Sequence, residues 1–354
     1  MAVWEENVRK VVPYTPGEQP NRSDIIKLNT NENPYPPAPG VAEVLREMDV
    51  QGLRKYPDPT ADDLVSALAE YHGLQKEQVF VGVGSDDVLA MSFLTFFNSQ
   101  KPVLFPDITY SFYDVWAELF RIPYQRQPLD EKFQIRTEDY LKDCGGIVIA
   151  NPNAPTGIWK ELEELEQIIA GNPEVIVIID EAYIDFGGKS AFSLLPKYDN
   201  LLVVQTFSKS RSLAGMRIGY ALGNQKLIKY LNDAKYSFNS YTMDTVTIAM
   251  GVKAVKDEVY FRQTLQKVIN TREWTQKQLK KLGFVFQDSQ SNFIFASHPN
   301  CAARDLFEAL KAEGIYVRYF AKPRIDNYLR ISIGTDQEMK TLISFLEQYL
   351  GENL

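Results

Sequence analysis

Short runs of branched apolar residues recur from Val79 to Leu222, and segments with helical spacing separate most of them. Val79-Phe80-Val81-Gly82-Val83 precedes a helix-like stretch from Val88 to Leu94, and Pro102-Val103-Leu104-Phe105 precedes another from Phe112 to Phe120. Gly146-Ile147-Val148-Ile149-Ala150 leads to the amphipathic segment Leu162 to Ile169. Val175 to Asp180, Leu201 to Gln205 and Arg217 to Leu222 complete the series. A strand that is apolar at every position is buried on both faces, and helices between such strands supply the cover. The pattern predicts an α/β fold with a mostly parallel sheet. After about Gln225 the texture changes to a long helical stretch from Val246 to Leu282, then short strands and helices to Tyr349, which reads as a smaller α+β unit. The expected organisation is an N-terminal arm over 1–30, a large domain over 31–245 and a small C-terminal domain over 246–354.

Composition narrows the function. The chain has 354 residues, 45% of them hydrophobic, and a net charge of -8. Its dispersed basic residues argue against a nucleic-acid or membrane surface. Cys144 and Cys301 match no disulfide framework or zinc spacing, and an acidic N-terminus without an apolar run argues against a signal peptide. A cytoplasmic protein without a metal site is expected. His72 and His298 are the only histidines, and both sit in contexts that read as surface turns or helix ends. A histidine-dependent triad is therefore a poor fit, and a lysine becomes a natural proton carrier.

Ligands of parallel α/β sheets bind beyond the carboxyl ends of the strands, where four segments stand out. Gly82-Val83-Gly84-Ser85-Asp86-Asp87 reads as a phosphate-binding helix start or as an ordinary Ser/Asp cap. It lacks the third glycine of a dinucleotide fingerprint. Asn151-Pro152-Asn153-Ala154-Pro155-Thr156-Gly157 is a rigid turn. Asp180-Glu181-Ala182-Tyr183 places a carboxylate at the end of a buried strand, where it needs a partner; a pyridinium nitrogen would suit it, and an acidic helix cap is the plainer reading. Lys209, in Thr206-Phe207-Ser208-Lys209-Ser210, follows another buried strand. It reads equally as a structural charge or as an amine that loses solvation and forms a Schiff base.

Taken in order, these segments, with an aromatic at Tyr110 and Arg217 downstream, resemble fold-type I pyridoxal-phosphate enzymes over nearly the whole chain. Leu28-Asn29-Thr30-Asn31-Glu32-Asn33-Pro34-Tyr35, Lys55-Tyr56-Pro57-Asp58-Pro59 and Leu329-Arg330-Ile331-Ser332-Ile333-Gly334-Thr335 are most similar to the histidinol-phosphate aminotransferases. The resemblance implies pyridoxal 5'-phosphate as cofactor, Lys209 as the Schiff-base lysine, Asp180 on the pyridine nitrogen, Tyr183 near the phenolic oxygen and Tyr110 against the ring. It assigns the phosphate to the backbone amides of Ser85 and Asp86, the Ser208 hydroxyl and the Arg217 guanidinium, with Thr206 adding a hydroxyl. Tyr56 is expected to reach the cofactor of a second subunit, which implies a homodimer. Arg330 is expected to bind the substrate carboxylate, and Arg318, assisted by Tyr14, the substrate phosphate, with Arg324 a competing cation nearby.

One departure stands out. The family's asparagine directly before Pro-Thr-Gly is here Ala154; Asn153 is expected to take over its hydrogen bond to the phenolic oxygen, with Asn151, or Tyr183 with water, as the alternatives. The implied reaction exchanges an amino group between histidinol phosphate and 2-oxoglutarate in histidine biosynthesis. The rivals are an aromatic-amino-acid aminotransferase, a threonine-phosphate decarboxylase or a carbon–sulfur lyase. Outside the cofactor class stand an NAD-dependent dehydrogenase and a non-enzymatic cofactor-binding regulator.

Overall fold

The structure, a computed structural model, describes residues 3–20, 22 and 24–353. Its centre is a seven-stranded sheet: β1 (Val79–Val83), β2 (Val103–Pro106), β3 (Tyr124–Gln127), β4 (Gly146–Ala150), β5 (Val177–Asp180), β6 (Leu201–Thr206) and β7 (Ile218–Gly223). The spatial order is β1-β7-β6-β5-β4-β2-β3. Strands β2 to β6 run parallel, while β7 is antiparallel to both β6 and β1. Successive side chains of the central strands enter different cores. Ile147, Ile149, Ile179 and Val203 pack into one, and Val148, Ile178, Leu202 and Val204 into the other. That alternation is why β4, β5 and β6 are apolar at nearly every position. Strand β3 is a polar edge strand (Tyr-Gln-Arg-Gln) that apolar patterning does not reveal.

A second core surrounds a four-stranded antiparallel sheet of β8 (Val285–Phe286), β9 (Phe293–Ser297), β10 (Arg318–Tyr319) and β11 (Leu329–Ser332), in the order β10-β11-β9-β8. Helices Glu258–Lys281, Ala303–Ala312 and Asp336–Asn353 cover it. The start of the chain is stitched into this core. Ile26–Lys27 pairs in parallel with Ile315–Tyr316, and Leu28 is buried among its residues. From there Asn29 meets Arg330, and Asn31 meets Ser332 of the small sheet and Tyr183 beyond the large one.

Two expectations need correction. The helical stretch 246–282 is two helices, Thr245–Lys256 and Glu258–Lys281, divided at Asp257. The Asp257 carboxylate accepts from the Tyr260 N–H at 3.1 Å and starts the second helix as a side-chain cap. The first helix buries Ile248, Met250, Ala254 and Val255 with the large sheet, although the sequence reading assigned it to the small unit. The histidines are not surface residues either. His72 is half-buried against Phe192 and Tyr220, and burial pushes its imidazole down to about 4. His298 is buried beside Phe284 and bonds the Leu282 carbonyl oxygen at 3.0 Å. Among the described residues no helix is long and apolar enough to cross a membrane.

Candidate active site

A cavity of about 180 Å³ opens where β4, β5 and β6 end, as the sheet topology requires. Asp180, the last residue of β5, forms part of its wall and is only 5% exposed. One carboxylate oxygen accepts from the Tyr113 hydroxyl at 2.7 Å and the other from the Ala182 N–H at 3.2 Å. Burial pushes the carboxyl up to about 6; these two donors pull it the other way, and the Asp86 charge adds to the rise. Among the described residues no cation pairs with it, so Asp180 faces the cavity as a buried carboxylate with room for a cationic partner.

The opposite end of the cavity is a cup for an oxyanion. Gly84 adopts φ +88° and ψ 163°, a conformation open essentially to glycine, and turns β1 into helix Ser85–Phe96. A Cβ on Gly84 would lie 2.4 Å from Arg217 Nη2. Gly219 lets β7 approach just as closely, since a Cβ there would lie 2.2 Å from Ser85 N. The helix start and the Arg217 guanidinium therefore share one space. Asp86 braces it, accepting from Arg217 at 3.0 Å and from the Tyr110 hydroxyl at 2.7 Å. Thr206 and Ser208, whose hydroxyls are bonded at 3.0 Å, complete the lining.

Lys209 enters between these ends. Its Nζ donates to the Thr30 carbonyl oxygen at 3.1 Å and lies 5.8 Å from the centre of the Tyr183 ring. The lysine loop is held by Asn33, whose amide donates to the carbonyl oxygens of Lys209 and Ser210. Tyr183 packs edge-on against Phe293, and its hydroxyl oxygen accepts from Asn31 Nδ2 at 3.0 Å. Glu181, one residue beyond Asp180, faces away. It accepts from Ser190, Ala191 and Gln205 and ties the strand ends together.

Most of the expected residues therefore converge: Ser85, Asp86, Tyr110, Asp180, Tyr183, Thr206, Ser208, Lys209 and Arg217 all line one cavity. Asn153 does not. Its amide donates to the Ile108 carbonyl oxygen and Thr156 Oγ1, and its Oδ1 accepts from Thr109. Asn151 is likewise occupied, on both sides of its amide, by the backbone of Lys160. Both asparagines fasten the turn, and the residue facing the cavity is Ala154. Thr30, Glu32 and Asn31 belong to the site region although none was assigned a role, and Tyr113 is the partner of Asp180. Their only sequence signal is membership of the Leu28–Tyr35 stretch and of the aromatic cluster that follows Tyr110.

Beyond the cavity, Arg318 and Arg330 are direct cross-strand partners in the β10–β11 ladder. Both guanidiniums lie 5.6 Å from the Phe320 ring centre. Arg330 donates to the Asn29 carbonyl oxygen at 2.9 Å, its Nε is buried without a partner, and burial with the Arg318 charge lowers its pKa. Arg318 has only long contacts, 3.5 Å to the carbonyl oxygens of Thr15 and Pro16. Like charges directly opposite in a ladder are unfavourable, and an anion between the two guanidiniums would relieve that repulsion. Arg324 does not compete for it, because its guanidinium is held by Asp107 at 2.9 Å and by the carbonyl oxygens of Leu129 and Asp130. Tyr14 stacks on Phe112 at 4.2 Å beside Tyr110. Tyr56 lies elsewhere, 82% exposed and stacked on Tyr241.

The donor set fits pyridoxal phosphate. The glycine-built cup with Arg217 suits a phosphate, the cation-free Asp180 suits a protonated pyridine nitrogen, and Lys209 stands between them.

Comparison with known proteins agrees. Residues 23–346 match the family described as aminotransferase class I and II. A histidinol-phosphate aminotransferase of Lactococcus lactis subsp. lactis is 53% identical over 351 residues, covering 99% of this chain and 97% of the relative. One of Clostridium beijerinckii is 51% identical over 350 residues, covering 99% and 98%. The crystal structure of histidinol-phosphate aminotransferase from Sinorhizobium meliloti in complex with pyridoxal-5'-phosphate superposes with a TM-score of 0.83 at 25% identity, covering 92% of this chain and 91% of that one. The enzyme from Clostridium acetobutylicum shares the fold, with a TM-score of 0.84 at 22% identity and coverage of 93% and 100%.

Proposed function

The chain belongs to the class I and II aminotransferases, and on that premise we propose that it moves an amino group between histidinol phosphate and 2-oxoglutarate, in histidine biosynthesis. The observation that carries the substrate class is the facing pair Arg318 and Arg330, two guanidiniums with no carboxylate between them among the described residues. A phosphate in one half-reaction and a carboxylate in the other can both be gripped by arginine forks.

Pyridoxal phosphate, when bound, supplies an electron sink for the negative charge that develops at the substrate α-carbon. The backbone N–H groups of Ser85 and Asp86, the hydroxyls of Thr206 and Ser208 and the Arg217 guanidinium would hold its phosphate, and the Asp180 carboxylate would favour a proton on the ring nitrogen. Lys209 Nζ, beside the Thr30 carbonyl oxygen, would be the base that takes the proton from the substrate α-carbon and the acid that later returns it. The Thr30 carbonyl oxygen accepts from the free lysine amine and would orient it when it is not bonded to the cofactor. Arg330 holds the substrate carboxylate, and Arg318 and Tyr14 hold the phosphate. Glu32 contributes negative charge at the rim. Burial would raise its pKa, but hydrogen bonds from Lys27 and Thr30 hold it below the usual range.

A homodimer is part of this reading. The exposed Tyr56, stacked on Tyr241, is free to meet a second copy, where it would reach the neighbour's cofactor. So is a cytoplasmic location, with both cysteines free.

The test is a half-reaction screen. The purified, cofactor-loaded protein is mixed separately with histidinol phosphate, glutamate and aromatic amino acids while its visible absorbance is followed. Rapid bleaching by histidinol phosphate and glutamate is expected. Bleaching by aromatic amino acids alone would replace the reading with an aromatic-amino-acid aminotransferase, and release of carbon dioxide or thiol would replace it with a lyase.

A further inference from the structure

Asn31 is 1% exposed and sits in the left-handed region at φ +57°, between the small sheet and Tyr183. Four hydrogen bonds hold it. Its N–H donates to Ser332 Oγ at 2.9 Å, its carbonyl oxygen accepts from Asn292 Nδ2 at 2.9 Å, its Oδ1 accepts from Ser332 Oγ at 2.9 Å, and its Nδ2 donates to Tyr183 Oη at 3.0 Å. These bonds settle which end of the amide faces which way. Ser332 Oγ already receives the Asn31 N–H, so its own hydrogen goes to Oδ1, and the opposite end of the amide, facing Tyr183, is the NH2 group. The Tyr183 oxygen is therefore an acceptor towards Asn31. Its single hydrogen is left to point elsewhere, and no described protein atom accepts it. The remaining direction is the cavity that Tyr183 lines.

The same cavity is lined by a methyl group, that of Ala154, where the family has an asparagine. Ala154 faces the cavity, and the amides of Asn151 and Asn153 are consumed by the turn. We infer that Asn31 is a positioning residue that aims the Tyr183 hydroxyl proton at the ring oxygen of the bound cofactor, so that Tyr183 donates there in place of the missing asparagine. This rests on the reading of the cavity as a pyridoxal phosphate site. The ring oxygen carries more negative charge once the bound chromophore loses its proton, so a hydrogen bond donated to it favours the deprotonated form and lowers the titration midpoint. The same anchoring fixes the peptide between Thr30 and Asn31, whose carbonyl receives Lys209 Nζ.

The experiment is a spectrophotometric pH titration of the cofactor-loaded dimer or monomer, whichever is isolated, for wild type, Asn31→Gly, Tyr183→Phe and the double variant. Glycine tolerates the left-handed backbone and keeps both main-chain bonds of residue 31, so only the amide is lost. Asn31→Gly is expected to raise the midpoint by about 0.3–0.7 unit, the equivalent of one weakened hydrogen bond. In the Tyr183→Phe background the same change is expected to move it by less than about 0.1 unit, because the two residues act as one unit. Asn31→Asp, which keeps the Ser332 bond but presents an acceptor to Tyr183, provides a second variant should the glycine protein fold poorly, and its midpoint also rises. No shift in either single variant at residue 31, or an equal shift with and without the Tyr183 hydroxyl, overturns the inference. A wild-type protein that takes up pyridoxal phosphate without any visible band overturns the reading beneath it and the inference with it.

Discussion

Asp180 holds its carboxyl at about 6, against an ordinary 3.8, because burial outweighs the Tyr113 and Ala182 donors. In the cofactor-free protein the folded state therefore keeps a proton there that the unfolded chain releases between about pH 4 and pH 6. Stability from this group falls across that window, and above it the full penalty, about 3 kcal/mol, remains. A ring cation relieves the penalty only where Asp180 would otherwise be ionised without a partner. Loading with cofactor should thus raise the thermal midpoint more at about pH 7.5 than at about pH 5; an equal rise by calorimetry would show that Asp180 does not meet a cation. Ala154→Asn is the complementary change. A second donor beside the ring should lower the chromophore's titration midpoint by up to about 0.7 unit, and an unchanged midpoint would mean that residue 154 does not reach the ring oxygen. Asp180, Lys209 and Arg217 were legible because each sits a fixed step from a buried strand. The placement of Asn31 was not, since its contacts are made with Ser332 and Tyr183, 301 and 152 residues away in the chain. The substitution at Ala154 was visible in the sequence, but the choice among Asn153, Asn151 and Tyr183 was not, because the two asparagines are spent on contacts that no local pattern announces.

At the scale of elements, the junction of β1 with helix Ser85–Phe96 is the part most sensitive to a single methyl group. Gly84→Ala combines a backbone conformation costing roughly 1–3 kcal/mol with a Cβ inside the space of Arg217. The guanidinium must move off the cup. Cofactor affinity should fall by at least about tenfold, measured by equilibrium dialysis against pyridoxal phosphate, and unaltered affinity would remove Arg217 from the phosphate site. The buried strands were readable because burial on both faces demands apolar residues throughout, as in Ile147-Val148-Ile149. Strand β3 escaped because an edge strand answers to solvent, so Tyr124-Gln125-Arg126-Gln127 carries no apolar signature. The division at Asp257 escaped because apolar spacing continues across it, and the break depends on one capping carboxylate.

At the scale of the whole molecule, Arg324 reaches from the segment between β10 and β11 to Asp107, at the end of β2, and to the backbone of Leu129 and Asp130. Asp107 leads directly to Thr109 and Tyr110, so this contact couples the small sheet to the wall of the cavity. The ion pair is partly exposed and contributes little to folding, about 0.2–1 kcal/mol. Arg324→Ala should therefore leave the unfolding midpoint nearly intact while raising KM for both substrates roughly 3- to 10-fold through looser closure; a large loss of stability with unchanged KM would make it a structural tie only. The two guanidiniums of Arg318 and Arg330, facing each other across a ladder, bear on the choice of solvent. Any small dianion that settles between them stabilises the folded protein by mass action, in proportion to RT ln(1 + [L]/Kd). Inorganic phosphate in the buffer should then make the enzyme melt higher and raise its apparent KM for the phosphorylated amine without altering kcat, so the medium chosen to keep the protein comfortable would also be its competitive inhibitor.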